Sequence, residues 1–537
     1  MTLLVQTVNL DALAHNVRQV KALSGADRLM AVVKADGYAQ GALSAARTAL
    51  AAGATELGVA TIEEALELRA GLGGAPRILA WIWSVAAEEL LVEAVRADIE
   101  LGIASLPQAE AVARVGQREQ LRPRVSIMVD TGLGRSGLAW ANGDFAAAVD
   151  PLAQLHRDGS LEVTGVCTHF ACADEPGHPS IDAQAELFRE AIAALAQVGL
   201  ENLERHAANS PAALTRPDLT FDMVRPGLAL YGAEPIAGRN HGLRPVLRWE
   251  AEVTVVKRLP AGQSVSYGHT WTTPRDTTIA IVPCGYADGL PRSASGKFDV
   301  SINGVRYPQV GRVCMDQFVV DLGPDSDVTP AMTAVIVGDP ELGEPGIDEL
   351  AAAAGTINYE ILTAPKGRTV RRQVRRRTVA TAEQMRDFGA ELGRELSAGD
   401  LVIMDGPLGA GKTTMTQGIA RGLQVRGRVT SPTFTIARIH PSTVGGAGLV
   451  HVDAYRLFGE GGPTADSNFT TADGYAAGSA FDALDALDLD TDLEDSVVVA
   501  EWGSGLAEQL AERYVRVTID RSRSDDVRIV TISEEHR

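Results

Sequence analysis

Residues 32–42 read VVKADGYAQGA: an apolar run ending at Lys34, with Tyr38 four residues on. A reactive lysine at a strand end suggests Schiff-base chemistry. Working outward, similar apolar runs cover 29–34, 57–60, 78–83, 99–104, 124–129, 163–168, 204–208 and 223–226. Amphipathic helical patterns lie between them, as at 62–72, 88–95 and 181–198. Eight strand–helix alternations predict a (β/α)8 TIM-type barrel; an open doubly wound sheet is the alternative, and eight units favour closure. In a barrel the residues ending each strand face the active site. Here they are Lys34, Arg135 just after its strand, His169, Asn209, Ser210 and Arg225, a set too polar and too basic for a core.

From about Val246 the pattern changes to alternating strands at 251–257, 278–283, 300–302, 305–310 and 318–322. Gly and Pro turns separate them, which predicts a compact β domain closing near Thr369. The basic run RRQVRRR (371–377) reads as a solvated strand edge or linker, with a nucleic-acid role as the minor alternative. A third domain starts near Thr378: a helix at 382–396, a strand at 400–405, then GPLGAGKT (406–413) and a helix at 412–422. That is the strand–loop–helix context which the phosphate-binding pattern GxxxxGK[ST] requires. The expected division is a barrel at 1–240, a β domain at 241–375 and a P-loop α/β domain at 378–537. Residues 459–496, rich in Ala, Asp and Gly, read as a flexible insertion, and its acidic end at 482–495 as a solvated face rather than a metal site.

Length and composition agree with several domains. A chain of 537 residues is too long for one ordinary core. A formal charge of −20 argues against a nonspecific nucleic-acid binder. The four cysteines form no CxxC pair, as expected of reduced thiols in a cytoplasmic protein. No apolar run is long enough to span a membrane, and the first twenty residues lack the order of a signal peptide.

The motifs VVKADGY (32–38), DTGLGRSG (130–137), THFACADE (168–175), HAANS (206–210), VRPGLALYG (224–232), SYGHTW (266–271), GYADGLPR (285–292) and GRVCMDQ (311–317) occur in this order. Through them the first 370 or so residues resemble the bacterial alanine racemases, which use pyridoxal 5′-phosphate to interconvert L-alanine and D-alanine. The resemblance implies that Lys34 carries the cofactor and serves as the base for D-alanine, and that Tyr267 is the base for L-alanine on the opposite face. An unperturbed tyrosine titrates near ~10, so a cationic neighbour must assist it. Arg225 corresponds to the arginine that meets the cofactor ring nitrogen, and His169 to the residue packed near the ring. Tyr38, Asn209, Ser210, Gly227 and Leu228 correspond to the cofactor and phosphate cradle. Arg135 and the Met315 backbone correspond to substrate-carboxylate contacts, and Tyr286 to an entrance residue supplied across a dimer interface. Taken alone, His169 would read as a satisfied core histidine and Met315 as packing.

Three positions depart from the family pattern. YAQG (38–41) stands where YGHG is common. Met128 stands where a carbamylated lysine commonly orients the carboxylate-binding arginine, and Gln373 where a phosphate-contacting tyrosine is usual. A weak or broad-specificity racemase, and a barrel that binds the cofactor without turnover, therefore stay open as alternatives.

In the third domain LGAGKTT (408–414), RVTSPTFT (428–435), HVDAYRL (451–457) and VVVAEWG (497–503) recur in the order found in TsaE. TsaE is the small ATPase of the bacterial tRNA threonylcarbamoyladenosine pathway. The P-loop glycines Gly406, Gly409 and Gly411, with Ala410 and Thr414, would wrap ATP phosphates; Lys412 would reach the outer ones and Thr413 would ligate Mg²⁺. The resemblance adds Glu501 near Mg²⁺, a switch-like segment around Thr433, a catalytic or metal-linked Asp453 and Trp502 beside the nucleotide. Asp453 as a helix cap is the alternative. The implied partners are TsaB and TsaD-type proteins in the modification of adenosine 37; direct tRNA binding is not expected of so acidic a chain. A docking module that binds ATP without useful hydrolysis is the other reading of this domain.

Overall fold

The computed structural model describes residues 3–74, 76–432, 437–454, 495–505, 507–521 and 527–536. Thr433, Tyr455 and the inserted stretch up to residue 494 lie outside them. The chain forms two compact units, residues 1–372 and 373–537.

The first unit contains the barrel. Strands Arg28–Val32, Glu56–Thr61, Arg77–Ile82, Glu100–Ile103, Arg124–Asp130, Glu162–Cys167 and Glu204–His206 pair in parallel in that order, and Met223–Val224 pairs with the first. The seam is bridged where Asp222 N–H donates to the Arg205 carbonyl (3.0 Å) and Arg225 N–H to that of Ala208 (2.8 Å). Several of the helices that follow strands begin at a side-chain cap: Asn9, Thr61, His178 and Asn209 each accept a backbone N–H of the first turn. Thr61 and Glu64 form a reciprocal capping box at the start of Ile62–Leu72, for example. At the N-terminal mouth of the strands, Arg77 bridges Glu100 (2.5 Å) and Glu204 (3.0 Å), and Arg28 pairs with Glu56 and Glu204. These carboxylates are nearly inaccessible, so the charges form a buried plug below the site.

The β region is an antiparallel sheet in the order Val255–Leu259, Thr277–Val282, Phe318–Gly323, Val305–Val310, Asp299–Ile302, Thr333–Val337, Leu247–Glu252 and Leu4–Asn9. Two features differ from the sequence expectation. The single strand expected at 251–257 is two strands, Leu247–Glu252 and Val255–Leu259, which pair with different neighbours: Thr333–Val337, which the pattern did not suggest, and Thr277–Val282. The first strand of the chain belongs to this sheet and not to the barrel, with Leu4 opposite Ala251 and Val8 opposite Leu247.

The second unit is a sheet in the order Ala437–His440, Gly448–Asp453, Ser496–Glu501, Leu401–Asp405, Arg513–Asp520, Arg528–His536 and Val370–Val379. Its three central pairings are parallel. Helices Ala382–Glu395 and Lys412–Leu423 pack through glycines: a Cβ on Gly389 would stand 2.4 Å from the Met415 carbonyl oxygen. The basic run is absorbed here. Arg375 and Arg377 pair with Glu391, Arg375 also with Glu395, and both guanidinium groups lie over the Phe388 ring. It is thus a paired strand rather than a linker.

Candidate active sites

Lys34 stands two residues beyond its strand, at the start of a turn whose next five residues are all left-handed: Ala35 (φ 53°), Asp36 (51°), Gly37 (62°), Tyr38 (56°) and Ala39 (61°). Four of them carry a Cβ, so the turn is strained and must be held from outside. Glu64 holds one end, accepting the Ala35 N–H (2.7 Å) and, through its other oxygen, that of Ala60 (2.8 Å). Arg371 holds the middle through the Asp36 carboxylate (2.5 Å) and the Ala39 carbonyl (3.1 Å), which also accepts from Gln6 (2.8 Å). Gln40, one of the residues that depart from the family pattern, is fully buried and donates to the carbonyls of Tyr38 (3.1 Å) and Leu362 (3.2 Å). Glu64, Arg371 and Gln40 were not legible as site residues, because each acts on backbone atoms.

Burial lowers the Lys34 amine below its ordinary range, and Arg135 adds to the effect; Glu64 opposes it. Across the barrel, Arg225 is buried and donates to His206 Nδ1 (2.5 Å), His169 Nδ1 (3.2 Å) and the Thr168 carbonyl (2.8 Å). Arginine can only donate, so His206 accepts at Nδ1, while His169 meets the Arg225 guanidinium at Nδ1 and the Asn209 amide nitrogen at Nε2 (3.5 Å). Burial, then Arg225, Arg135 and Lys34, push His169 down to about 3, so its ring is neutral at physiological pH.

Asn209 caps the helix Ser210–Thr215, and the buried Ser210 hydroxyl accepts the N–H groups of Gly227 (3.0 Å) and Ala229 (3.2 Å). Tyr38 packs on Tyr231 with ring centroids 4.6 Å apart. A Cβ on Gly227 would stand 2.2 Å from the Tyr38 oxygen, so only glycine leaves this cradle open. Leu228 is buried beside it.

Arg135 is exposed on a loop organised by Asp130, which accepts the N–H groups of Gly132 (2.9 Å), Gly134 (3.0 Å) and Arg135 (3.0 Å). Met128 sits on the adjoining strand with its sulfur over Gly102, where Trp81 also packs. It offers Arg135 no charge.

The remaining expected residues form a second group. The Ser266 hydroxyl donates to the Arg312 carbonyl (2.7 Å), while Tyr286 and Ala287 N–H donate to the carbonyls of Cys314 (3.1 Å) and Met315 (3.0 Å). These bonds bring Tyr267, Tyr286 and Met315 onto one surface, where they are 70%, 40% and 52% exposed. The Arg312 guanidinium lies against Gly268, the residue after Tyr267. Among the described residues, no hydrogen bond or ring contact joins this group to the Lys34 group within one chain.

In the second unit, the loop after Leu401–Asp405 turns at Gly406 (φ 149°), Gly409 (76°) and Gly411 (112°) into the helix Lys412–Leu423. A Cβ on Gly406 would meet the Ile519 carbonyl at 2.7 Å. Buried Ala410 closes the loop by donating to the Pro407 carbonyl (3.1 Å), and Thr414 lies in the helix. The Lys412 amine donates to the carbonyls of Gly406 (2.6 Å) and Pro407 (3.2 Å), 3.6 Å from the centroid of the Trp502 ring. The Thr413 hydroxyl and His451 Nε2 both donate to Glu501 Oε1 at 2.9 Å. Asp453 ends its strand, is buried, and accepts from the Ser431 hydroxyl (3.0 Å). Burial lowers the Lys412 amine, against the pull of Glu501, Asp453 and Asp405. His451 was missed in the sequence because its partner is fifty positions away.

Comparison with known proteins accounts for both units. Residues 8–235 match the alanine racemase N-terminal domain, and 246–373 the alanine racemase C-terminal domain. An alanine racemase of Corynebacterium efficiens is 50% identical over 372 residues, 69% of this chain and 98% of that protein. The chain belongs to the alanine racemase family. The alanine racemase structure from Streptomyces coelicolor superposes with a TM-score of 0.67 at 45% identity, over 69% of this chain and 98% of that one. The alanine racemase of Bartonella henselae, solved with covalently bound pyridoxal phosphate, superposes with a TM-score of 0.62 at 29% identity, over 70% of this chain and 100% of that one. Beyond the racemase domains, residues 379–530 match the threonylcarbamoyl adenosine biosynthesis protein TsaE, so the chain is a racemase fused to a TsaE domain. Among the described residues, no helix is long and apolar enough to cross a membrane.

Proposed function

We propose that the protein is a bifunctional cytoplasmic enzyme: an alanine racemase that supplies D-alanine for peptidoglycan, joined to a P-loop ATPase that supports threonylcarbamoylation of adenosine 37 in tRNA with TsaB and TsaD-type partners. The observation that carries the racemase reading is the strained turn at Lys34, facing the buried Arg225–His169–His206 cluster. Pyridoxal 5′-phosphate fits this site. Lys34 would hold it, the glycine cradle at Gly227 with Ser210 and Tyr38 would take its phosphate, and Arg225 would meet its ring. The bound cofactor supplies the electron sink that acidifies the α-carbon of alanine. Lys34, its amine partly desolvated, takes or returns the α-proton on one face, and Tyr267 does so on the other. Arg135 binds the carboxylate without a lysine partner at Met128.

Tyr267, Tyr286 and Met315 project into solvent in one chain, which supports a homodimer whose sites each combine Lys34 of one protomer with Tyr267 of its partner. Complementation tests this. Lys34→Ala and Tyr267→Phe dimers are each inactive; mixed and re-equilibrated, they should regain about a quarter of parental activity, because half the dimers carry one intact site of two. No recovery despite subunit exchange would mean that each site is built from one chain.

In the second unit, Lys412, Thr413 and Glu501 fit ATP with Mg²⁺: the threonine hydroxyl and the carboxylate already converge. Glu501→Gln should cut ATP hydrolysis roughly ten- to hundredfold while leaving ADP binding near the parental value. Undiminished hydrolysis would remove Glu501 from the metal site, and no hydrolysis in the parent would favour the docking-module reading.

A further inference from the structure

Arg521 follows the strand Arg513–Asp520, is exposed, and enters no hydrogen bond or ion pair among the described residues. Its guanidinium nevertheless lies against the phosphate-binding loop, with Nη1 3.2 Å from where a Cβ on Gly409 would stand. The same strand touches the loop once more, through Ile519 against Gly406.

The side of the loop on which Arg521 stands decides what it meets. Leu401–Asp405, which leads into the loop, is flanked by Ser496–Glu501 on one side and Arg513–Asp520 on the other. The first flank carries Glu501, already bonded to Thr413, and so marks the end where the metal and outer phosphates sit. With its outer phosphates at that end, a nucleotide would leave the loop toward the opposite flank, so that its sugar and base pass Gly409. A guanidinium there is suited to that end of the ligand: its N–H groups donate to sugar oxygens and its plane stacks on a base.

We infer that Arg521 is a further nucleotide-binding residue, contacting the nucleoside end of the ligand. This rests on the reading of the P-loop as a nucleotide site. The loop supplies Lys412 and backbone N–H groups to the phosphates; Arg521 adds a contact to the nucleoside, so a nucleoside polyphosphate binds better than a bare polyphosphate chain.

Calorimetric titration of the full chain with ADP, ATP and inorganic tripolyphosphate tests this, using the parent, Arg521→Ala, Arg521→Lys and Lys412→Ala. Arg521→Ala should weaken ADP and ATP alike, by roughly tenfold or more, and leave tripolyphosphate unchanged. Arg521→Lys should fall between, keeping the charge without the planar fork. Lys412→Ala should weaken all three ligands. Parental ADP affinity in Arg521→Ala would overturn the inference, as would an equal loss for tripolyphosphate, which would place Arg521 at the outer phosphates. A parent that binds none of the three would overturn the nucleotide-site reading and this inference with it. Thermal unfolding of Arg521→Ala should match the parent, since the side chain is exposed and unpaired; a lowered midpoint would give Arg521 a structural role instead.

Discussion

Replacing Gly227 by alanine puts a methyl carbon 2.2 Å from the Tyr38 oxygen, 3.0 Å from its Cζ and 3.5 Å from its Cε2. The ring has little room to withdraw. It is buried, tilted against Tyr231 with ring centroids 4.6 Å apart, and attached to a backbone at φ 56° inside the left-handed turn. Overpacking of this kind costs about 1–3 kcal/mol. The strain falls on the Gly227 N–H that bonds Ser210, within the proposed phosphate cradle. Gly227→Ala should therefore weaken pyridoxal phosphate roughly five- to hundredfold, read by absorbance titration of the cofactor into apoprotein. Tyr38→Phe removes the atom in closest conflict and leaves the ring carbon at 3.0 Å. The double variant should consequently be milder than the sum of the two single ones, by about 1 kcal/mol or more. Unchanged cofactor affinity in Gly227→Ala, or strict additivity in the double variant, would refute the reasoning.

Other outcomes follow from the buried charges. His169 is held neutral in the folded state down to about pH 3, whereas the unfolded chain binds the proton below about 6.5. Its contribution is present above that value and is lost as pH falls toward 3, reaching on the order of 2 kcal/mol by pH 5; His169→Gln should flatten this part of the denaturation profile, and an unchanged slope would contradict the assignment. Arg77→Ala leaves Glu100 and Glu204 buried with a partner removed, and should destabilise the barrel by about 3–5 kcal/mol in urea melts. Burial already raises the Glu204 carboxyl, so part of that loss should return at lower pH; a loss below about 1 kcal/mol would mean that Arg28 alone neutralises the plug. Thr381 caps the helix Ala382–Glu395, and Thr381→Ala should lower the stability of the second unit by about 1 kcal/mol without changing racemase turnover.

The barrel was legible because its parallel strands are short apolar runs followed by amphipathic helical stretches, and both signals are local. The P-loop was legible for the same reason. The left-handed turn at Ala35–Ala39 was not: only one of its five residues is glycine, and its support comes from Glu64, Gln6 and Arg371, distant in the chain. The pairing of Leu4–Asn9 with Leu247–Glu252 was equally hidden, since an alternating strand states which face it buries but not which partner it takes. Strand Thr333–Val337 is an unbroken buried run apart from its first residue, and such runs carry no period to distinguish them. Most site residues that act through side chains were readable by type, His451 excepted; those that hold backbone, such as Glu64 and Gln40, needed the structure.

Lys34 in its strained turn is proposed to racemise alanine although Met128 gives Arg135 no anionic partner. The purified full chain, assayed for interconversion of L- and D-alanine with added pyridoxal phosphate beside Lys34→Ala, decides this. Turnover in both directions, abolished in Lys34→Ala, is the expected result. Visible cofactor binding without turnover would contradict it, leaving a barrel that holds pyridoxal phosphate but does not racemise alanine.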